Sequence, residues 1–306
     1  MKFLVTGGAG FIGSNIVEEL LKRGHEVRVL DDLSTGRREN IAPFEKDIEL
    51  IIGDVRTYHT VLRCARGMDF ILHQAALPSV PRSIKDPIAT NEVGITGTLN
   101  VLQAAKETGV KRVVYASSSS VYGDTPELPK HEGMKPNPLS PYAVTKLTGE
   151  YYCKVFNEIY GLETIALRYF NVFGPRQDPN SEYSAVIPKF IKLMKEGKRP
   201  TIYGDGTQSR DFTYVANVVE ANILAATAEC KTPLVMNCAC HGQITLNELV
   251  AELNKLLGTN IEPVYAEPRP GDIKHSFADM EKIIECIDFN VKTTFNSGLK
   301  STINCY

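Results

Sequence analysis

A tyrosine and a lysine lie four residues apart in the segment SPYAVTK, at Tyr142 and Lys146. If the segment is helical, this spacing places both side chains on one face. A free tyrosine titrates near ~10, so little phenolate exists at neutral pH. A neighbouring ammonium group lowers that pKa, and the pair could then act as a general base. The alternative interpretation is a surface Tyr and Lys on an amphipathic helix.

Four consecutive serines, Ser117 to Ser120, precede the tyrosine in the chain. They follow the apolar run Arg112–Ser117, which is typical of a buried parallel strand. Ligands of open parallel sheets bind at the carboxyl ends of the strands. The serines and the segment around Tyr142 are therefore expected at the same edge of the sheet.

Three glycines, Gly7, Gly10 and Gly13, form a G-x-x-G-x-x-G pattern directly after the first predicted strand. Glycines at such positions permit a tight turn, a close approach of the backbone to a pyrophosphate, and close packing of helix on strand. The N-terminus of the following helix offers free N–H groups to the anion. The pattern predicts a dinucleotide site, and a tight turn without a ligand is the alternative.

The type of dinucleotide is indicated by Asp31, which ends the second predicted strand 18 residues after Gly13. Its carboxylate can accept hydrogen bonds from the ribose hydroxyls of adenosine and would repel a 2′-phosphate, so NAD is favoured over NADP. Arg37 and Arg38 follow in the same loop and leave NADP open. Asp54, after the third strand, is either a solvated loop acid or an acceptor for the adenine amino group.

Short apolar runs alternate with helix-length amphipathic segments over the first 170 residues. This alternation predicts a doubly wound parallel sheet of the α/β class. The predicted strands are Phe3–Thr6, Glu26–Leu30, Glu49–Ile52, Phe70–Leu72, Arg112–Ser117 and Thr164–Arg168. The predicted helices are Phe11–Arg23, Tyr58–Ala65, Ile88–Thr108 and Pro141–Tyr160, the last with Ser140 as its N-cap and Gly161 as its stop.

The alternation ends after about residue 170, where loops rich in Pro, Gly, Asn and Asp appear. Helices are predicted near 184–196, 213–228 and 245–257. We interpret residues 1–171 as a dinucleotide-binding domain, to which a segment near 211–240 returns. Residues 172–306 are interpreted as a smaller α/β cap over the sheet.

The composition excludes several classes of protein. The chain has 306 residues and a net charge of −2, and it contains no basic run, so a nucleic-acid partner is disfavoured. No apolar run approaches the ~18–20 residues of a membrane span. Seven cysteines, an odd and scattered set, indicate a reducing compartment and a cytoplasmic location. Cys238, Cys240 and His241 lack a second ligand pair, so no metal is expected.

Eight segments of the chain match the motifs of one family: MKFLVTGGAGFIGSN, LDDLSTG, HQAA, YASSSSVYGD, SPYAVTK, LRYFNVFGPRQDPN, GDGTQSRDFTYV and RPGDIKHSFAD. They resemble the extended short-chain dehydrogenase/reductase superfamily, and within it the nucleotide-sugar 4-epimerases of the UDP-glucose and UDP-N-acetylglucosamine type. The resemblance extends to about Asp279. It implies NAD in a Rossmann domain, a UDP-sugar substrate in the C-terminal cap, and a homodimer through the helices at 88–108 and 141–160.

The resemblance also implies a mechanism. Tyr142 as phenolate takes the proton of the sugar 4-hydroxyl, and the C4 hydride passes to NAD. The resulting 4-keto sugar turns over, and the hydride returns to its other face. Lys146 binds the nicotinamide ribose hydroxyls and lowers the pKa of the tyrosine. Ser118 shares the proton shuttle, and Ser119 lies close to the sugar.

Two departures from relatives bear on the reaction. Sugar-nucleotide 4,6-dehydratases carry Asp-Glu after the equivalent of Ser118, and UDP-glucuronate decarboxylases have a Glu there. This chain has Ser119 and Ser120 instead. Elimination lacks its general acid without such a carboxylate, so we expect oxidation and re-reduction at C4 only.

The resemblance implies two sets of binding residues. The cofactor set is Gly7, Gly10, Phe11, Ile12, Gly13, Asp31, Asp32, Ser34, Thr35, Gly36, Asp54, Val55, Gln74, Ala75, Ala76, Ser117, Tyr142, Lys146 and Tyr169. The substrate set is Ser79, Arg82, Ser118, Ser119, Tyr142, Asn171, Val186, Ile187, Tyr203, Arg210, Arg269, Asp272 and Ser276.

Within the substrate set, the resemblance implies particular roles. Asn171 bonds a phosphate or the sugar, and Asp272 takes the uridine ribose hydroxyls. Arg210 and Arg269 clamp the diphosphate, since a guanidinium fork suits paired phosphate oxygens. Uracil lies among the side chains of Val186, Ile187 and Tyr203.

One residue beside the 2-substituent acts as a size gate in this family. A tyrosine there is associated with UDP-glucose and UDP-galactose alone, while a small residue admits acetamido sugars. Alignment of the segment GDIKHSFAD places Ser276 at the gate, which leaves room for an N-acetyl group. A register shift of one residue would place His275 or Phe277 there instead.

Two alternatives remain at this point. A catalytically silent NAD-sensing relative would usually have lost the Tyr, Lys or Ser, and all three are present here. A UDP-glucuronate 4-epimerase needs a cation for the sugar carboxylate, and Arg176 or Arg82 could supply it.

Overall fold

The structure is a computed structural model that describes residues 1–180, 185–268 and 274–306. Its strands are β1 (Lys2–Thr6), β2 (Glu26–Asp31), β3 (Glu49–Ile52), β4 (Phe70–His73), β5 (Arg112–Ser118), β6 (Glu163–Tyr169), β7 (Val172–Phe173), β8 (Thr201–Tyr203), β9 (Ser209–Arg210), β10 (Thr213–Tyr214), β11 (Leu234–Cys238), β12 (Ile244–Thr245) and β13 (Val264–Ala266). Its helices are α1 (Phe11–Lys22), α2 (Tyr58–Ala65), α3 (Val80–Lys85), α4 (Pro87–Asn91), α5 (Thr98–Thr108), α6 (Pro141–Tyr160), α7 (Val186–Lys195), α8 (Val215–Thr227), α9 (Leu246–Leu257), α10 (Glu281–Ile287) and α11 (Phe295–Ile303).

A parallel sheet with the strand order β11-β6-β5-β4-β1-β2-β3 lies at the centre of the molecule. Helices cover both of its faces, so successive side chains of a strand enter different cores. In β1, Phe3 and Val5 pack on the face that carries α1 and α8, while Leu4 packs on the face that carries α2, α5 and α6. The α/β class and the doubly wound sheet predicted from the sequence are confirmed.

Local signals explain the bounds of α6. The Ser140 side chain accepts a hydrogen bond from the backbone N–H of Ala143 at 3.2 Å, and Pro141 occupies the first helical position. The helix ends at Gly161, whose φ of +70° suits glycine. The predicted and observed bounds of this helix, Pro141–Tyr160, are the same.

The predicted helix Ile88–Thr108 is confirmed in extent, but it is not α-helical throughout. The chain forms α4, then a wide π-helical turn at Glu92–Gly97, and then α5. A Cβ on Gly94 would lie 2.7 Å from the Thr145 side chain of α6. One on Gly97 would lie 2.7 Å from Val55. Close packing on these neighbours therefore accompanies the turn, and the helical periodicity of the sequence does not reveal it.

The C-terminal part adds small sheets and a separate core. Strand β7 pairs with β10, β8 with β13, and β9 with β12. Phe173, Phe190, Leu249 and Leu299 lie at the centre of a core shared by α7, α9 and α11. The chain also returns to the large sheet, where α8 covers a face and β11 forms the edge beside β6.

A topological switch lies between β1 and β4. From β1 the chain proceeds outward to β2 and β3, then crosses to β4 and proceeds outward on the other side. The loops after β1 and β4 therefore leave in opposite directions and open a crevice at the carboxyl ends of the strands. None of the described helices is both long and apolar enough to span a membrane.

Candidate active site

A cavity of about 840 Å³ occupies the crevice at the switch point. This volume lies within the range of small-molecule and cofactor sites. Every residue of the predicted cofactor set lines it, from the glycine turn after β1 to Tyr142, Lys146 and Tyr169. Ser79 and Arg82 of the predicted substrate set line it as well.

The glycine turn after β1 and the start of α1 leave no space for a side chain at Gly7 or Gly13. Gly7 has a φ of +69°, and a Cβ there would lie 2.7 Å from the backbone nitrogen of Ala75. A Cβ on Gly13 would lie 2.1 Å from the carbonyl oxygen of Gly7. The turn thus brings the N-terminus of α1 directly to the floor of the cavity, where a pyrophosphate would meet its N–H groups.

Asp31 presents a buried carboxylate at the end of β2. It accepts hydrogen bonds from the backbone N–H groups of Ala9 at 2.8 Å and Leu33 at 2.9 Å. Burial raises the pKa of this carboxyl, and the two hydrogen bonds oppose the rise. The guanidinium of Arg37 donates to Asp178 and that of Arg38 to Glu45. Both arginines that left NADP open therefore have carboxylate partners within the protein.

The proposed catalytic side chains converge at the ends of β5 and α6. Ser118 ends β5 and lies close enough to Tyr142 for its hydroxyl to lower the pKa of that tyrosine. The Lys146 Nζ donates to the carbonyl oxygen of Ala116 at 2.6 Å and lies 5.7 Å from the centre of the Tyr142 ring. The Tyr-Lys spacing thus produces the shared helix face that the sequence predicts, and the serine run meets it.

Burial acts on both titratable groups of this cluster. It raises the pKa of Tyr142, and the hydrogen bond from Ser118 opposes the rise. Burial lowers the pKa of Lys146 to about 8, and the charge of Glu150 opposes the fall. The ammonium form of Lys146 therefore depends on neighbouring charge, and so does its influence on the tyrosine.

Tyr169 belongs to a hydrogen-bonded network below the cavity. Its hydroxyl donates to the Oε1 of Gln74 at 3.1 Å and accepts from the Nδ2 of Asn222 at 2.8 Å. Gln74 in turn donates to the Oδ1 of Asn222 at 2.9 Å. Strands β4 and β6 and helix α8 are joined at this point, which fixes the wall of the cavity behind Tyr142.

The predicted substrate residues of the cap lie around β9. Asn171 has a φ of +35° and donates through Nδ2 to the carbonyl oxygen of Asp211 at 3.3 Å. Arg210 donates to the carbonyl oxygens of Ser209 and Lys274, at 2.9 and 3.2 Å. The backbone N–H of Ser276 donates to the Ser209 carbonyl oxygen at 3.1 Å. Strand β9 therefore brings Arg210 and Ser276 together.

The uracil prediction concerns three residues at the edge of the cap. Val186 and Ile187 begin α7, and Ile187 is buried in the cap core. Tyr203 ends β8 and pairs with Ala266 of β13. Arg269 and Asp272, predicted to contact the diphosphate and the uridine ribose, lie outside the described residues. All of these contacts remain predictions.

The sequence predicted only Arg176 of the loop after β7, as a cation for a sugar carboxylate, and missed the rest of this loop as part of the cavity. Arg176, Gln177 and Asp178 line it, and Arg176 donates to Asn15 and Glu18 of α1, each at 2.7 Å. The polar run RQDPN carries this signal in the sequence. Its approach to α1 depends on tertiary structure, since more than 150 residues separate the partners.

Potential metal ligands are dispersed in the described part of the chain. No group of three His, Cys, Asp or Glu suited to a metal ion occurs within residues 1–180, 185–268 and 274–306. His241 Nδ1 contacts the carbonyl oxygen of Ala278 at 3.1 Å, and Asn217 donates to Cys240 at 3.3 Å. These two members of the C-x-C-H segment have partners within the protein.

Comparison with known proteins agrees with this geometry. Residues 3–239 match the NAD dependent epimerase/dehydratase family. The UDP-N-acetylglucosamine 4-epimerase of Methanobrevibacter ruminantium M1, solved in complex with UDP-N-acetylmuramic acid, is 42% identical with a TM-score of 0.95, over 99% of this chain and 97% of that one. The UDP-glucose 4-epimerase of Thermus thermophilus, solved with NAD, is 38% identical with a TM-score of 0.90, over 100% and 98%. The UDP-glucuronate 4-epimerase of Thermodesulfobacterium geofontis is 33% identical over 99% of this chain and 95% of its own length.

The chain therefore belongs to the NAD-dependent epimerase/dehydratase family. Within this family it is a UDP-sugar 4-epimerase, an isomerase that uses NAD. The residues present fit the cofactor, because the side-chain-free turn at Gly7 and Gly13 admits a pyrophosphate and Asp31 stands where the adenosine ribose is expected. The enzyme class and the cofactor expected from the sequence are confirmed.

Proposed function

We propose that the enzyme interconverts UDP-GlcNAc and UDP-GalNAc as well as UDP-glucose and UDP-galactose. The observation that carries this proposal is the small side chain of Ser276 between two larger residues that have partners elsewhere. The His275 Nδ1 lies 2.8 Å from the Ser209 hydroxyl. The ring of Phe277 packs on that of His241 with centroids 4.7 Å apart. These contacts favour Ser276 as the residue beside the sugar 2-substituent.

Discrimination at such a gate is asymmetric. A tyrosine would exclude an acetamido group by steric clash. A roomy pocket rejects the smaller hexose only weakly, because a missing group in a pocket without dedicated polar partners costs ~1–3 kcal/mol. Both sugar series are therefore expected as substrates. The 42% identity to an enzyme named for UDP-N-acetylglucosamine supports the acetamido series.

In the proposed reaction Tyr142 takes the proton of the sugar 4-hydroxyl. Ser118, whose hydroxyl lowers the pKa of Tyr142, positions the phenol and shares the proton. The ammonium of Lys146 favours the phenolate by charge. When bound, NAD supplies reversible acceptance of the C4 hydride. The same tyrosine returns the proton once the other face of the sugar has been reduced, so the protein ends the cycle unchanged.

Positions 119 and 120 carry no group that would divert the reaction into elimination. Ser119 and Ser120 begin the turn after β5, where a dehydratase is expected to carry its acid and base. The Ser120 hydroxyl is buried and has no hydrogen-bond partner among the described residues. Neither serine can serve as a carboxylic acid, and this supports epimerisation without loss of water.

A UDP-glucuronate 4-epimerase is the second candidate, favoured by two arginines in the wall of the cavity. Arg82 and Arg176 both line it, and either could meet a sugar carboxylate. Arg176 already forms an ion pair with Glu18 at 2.7 Å, so its charge is less available to a sugar carboxylate. We therefore rank this candidate second.

We further propose a homodimer through α6 and the helices before it. Tyr151, Val155 and Ile159 are 56%, 40% and 67% exposed along one side of α6. Ile84 and Ile88 add exposed apolar surface nearby in the chain. A patch of this kind on a water-facing helix is typical of an interface.

We assign residues 1–171, with the return segment near 211–240, to cofactor binding and residues 172–306 to the sugar nucleotide.

Product analysis tests the substrate assignment. Purified enzyme is incubated separately with UDP-glucose, UDP-GlcNAc and UDP-glucuronate, and the products are separated by chromatography. We expect the 4-epimers of the first two. Ser276→Tyr should abolish turnover of UDP-GlcNAc and retain that of UDP-glucose. Wild-type enzyme that converts UDP-glucose and leaves UDP-GlcNAc untouched would show that the gate assignment is wrong.

A further inference from the structure

A buried ion pair lies directly behind Lys146. The carboxylate of Glu150 accepts hydrogen bonds from the Nε of Arg168 at 2.8 Å and from its terminal nitrogen at 2.7 Å. Both side chains are 4% exposed. The hydroxyl of Ser117 donates to the same carboxylate at 2.5 Å. Burying two charges is costly, so an arrangement of this kind invites a functional explanation.

The ion pair lies on α6 and β6, and α6 also carries Tyr142 and Lys146. Tyr142, Lys146 and Glu150 are spaced four residues apart on α6 and share its inner face. Ser117 and Arg168 lie opposite each other in the register of β5 and β6. One carboxylate thus joins the helix that carries the tyrosine to the strand end that precedes Ser118.

Arg168 is buried among groups of the protein. Its guanidinium lies 4.6 Å from the centre of the Tyr122 ring. The Tyr122 hydroxyl in turn donates to the Oδ1 of Asn237 at 2.6 Å. The second terminal nitrogen of Arg168 is buried with no partner among the described residues. Glu150 is therefore the group that satisfies this arginine.

The surroundings of Lys146 offer one negative charge within the described part of the chain, that of Glu150. Burial keeps the other groups neutral: it raises the pKa of Tyr115 and lowers that of His73 to about 3. The titratable groups facing Lys146 besides Glu150 are Tyr142, Tyr115, Cys153 and His73. Without Glu150, the buried cations of Lys146 and Arg168 would have no counter-charge among the described residues.

We propose that Glu150 is a positioning residue for the epimerase reaction, which holds the Ser117 end of β5 and supplies the negative charge that keeps Lys146 an ammonium beside Tyr142. The proposal rests on the proposed roles of Tyr142 and Lys146. It assigns the Glu150–Arg168 pair to catalysis in addition to packing.

The sign of the effect follows from the charges. Loss of the carboxylate lowers the pKa of Lys146 below its present value of about 8. More of the lysine is then neutral near pH 7, and the pKa of Tyr142 rises because the favourable ammonium is lost. The acid limb of the rate profile, which reports protonation of the tyrosine, therefore moves to higher pH.

The test compares Glu150→Gln, Glu150→Asp and a matched control. Glu163 accepts a hydrogen bond from Arg112 at the opposite end of β5 and β6, so Glu163→Gln makes the same chemical change away from the site. For Glu150→Gln we expect the acid limb of kcat to rise by about one pH unit, or ~10-fold less activity on that limb. The KM for the UDP-sugar should stay within about twofold. Glu150→Asp should restore most of the limb, and Glu163→Gln should keep the wild-type profile.

A second measurement follows Lys146 without any cofactor. Nuclear magnetic resonance of cofactor-free protein labelled with ¹³C in its lysine side chains, with Lys146→Met as the reference, reports the titration of the Lys146 amine. The Glu150→Gln variant should lose the ammonium at lower pH than wild type, in which the pKa of Lys146 is about 8. If this variant does not fold, Glu150→Gln combined with Arg168→Gln removes both buried charges. The double variant should shift in the same direction by a smaller amount, because the cation of Arg168 is lost together with the carboxylate.

A uniform loss of rate at all pH values, with an unmoved acid limb and an unmoved titration of Lys146, would overturn the proposal and leave Glu150 a packing residue. This outcome differs from a failure of the proposed active site. In that case Tyr142→Phe itself would retain activity.

Discussion

At the scale of single residues, burial shifts the pKa values of Tyr142 and Lys146 away from the charged forms that the reaction needs, and neighbouring groups oppose both shifts. Burial raises the pKa of Tyr142, and this disfavours the phenolate that the reaction needs. Burial also lowers the pKa of Lys146, and this disfavours the ammonium that would assist the phenolate. Hydrogen bonding from Ser118 and the charge of Glu150 oppose these shifts. Reactivity therefore depends on neighbours as much as on the pair itself.

Removal of the Tyr142 hydroxyl tests its role as the base. Tyr142→Phe should lower kcat by at least ~10²-fold, the usual scale for a general acid–base group. Binding of the UDP-sugar, measured by calorimetry, should change little. Tyr160→Phe makes the same change at the exposed end of α6 and should leave the rate unaltered. Near-wild-type turnover in Tyr142→Phe would show that the proton moves by another route.

Asp31 is the residue that should distinguish the two dinucleotides. Its carboxylate repels a 2′-phosphate, so Asp31→Ser should improve binding of NADPH relative to NADH by at least ~10-fold. Titration of cofactor-free protein with each nucleotide measures the ratio. An unchanged ratio would mean that another group rejects the phosphate.

At the scale of elements, the glycine turn between β1 and α1 has no room for a side chain. Gly13→Ala would place a Cβ 2.1 Å from a backbone oxygen that cannot move aside. We expect loss of bound NAD and destabilisation by ~1–3 kcal/mol, the usual cost of overpacking. Gly242→Ala is the control, because a Cβ there has no neighbour within 4 Å. Retention of NAD and of the unfolding midpoint in Gly13→Ala would contradict the close packing.

Local sequence rules predict much of this architecture. The cap at Ser140 and the stop at Gly161 define α6 because both act through neighbouring backbone groups. The π-helical turn between α4 and α5 escapes such rules, since it accompanies contacts of Gly94 and Gly97 with distant residues. The Glu150–Arg168 pair escapes them for the same reason, because the strand register decides which side chains meet.

The candidate site likewise contains residues that can be located from the sequence and residues that cannot. Residues that follow strands, such as Asp31 and Gln74, can be located from the sequence because the carboxyl ends of parallel strands share one edge. The position of the loop at 176–178 over α1 could not be predicted, since it depends on tertiary contacts of Arg176. The cap residues that would choose the sugar come from separate loops around β9, and spacing alone does not bring them together.

At the scale of the whole molecule, the exposed side of α6 predicts assembly. Val155→Glu with Ile159→Glu should convert the proposed dimer to a monomer, because two carboxylates would be buried without partners. Sedimentation velocity at micromolar concentration measures the change. Ile284→Glu alters an exposed isoleucine on α10 and should leave the dimer intact. A wild-type protein that sediments as a monomer would reject the interface.

Epimerisation by removal and return of one hydride is the central claim, and an isotopic label follows it directly. The enzyme is incubated with UDP-GlcNAc that carries deuterium at C4, and the products are examined by nuclear magnetic resonance. We predict UDP-GalNAc that retains the deuterium at C4, because the hydride leaves and returns within one closed site. If UDP-GlcNAc is not converted, the same measurement is made with UDP-glucose that carries deuterium at C4. A 4-epimer with hydrogen from solvent at C4 would contradict the claim.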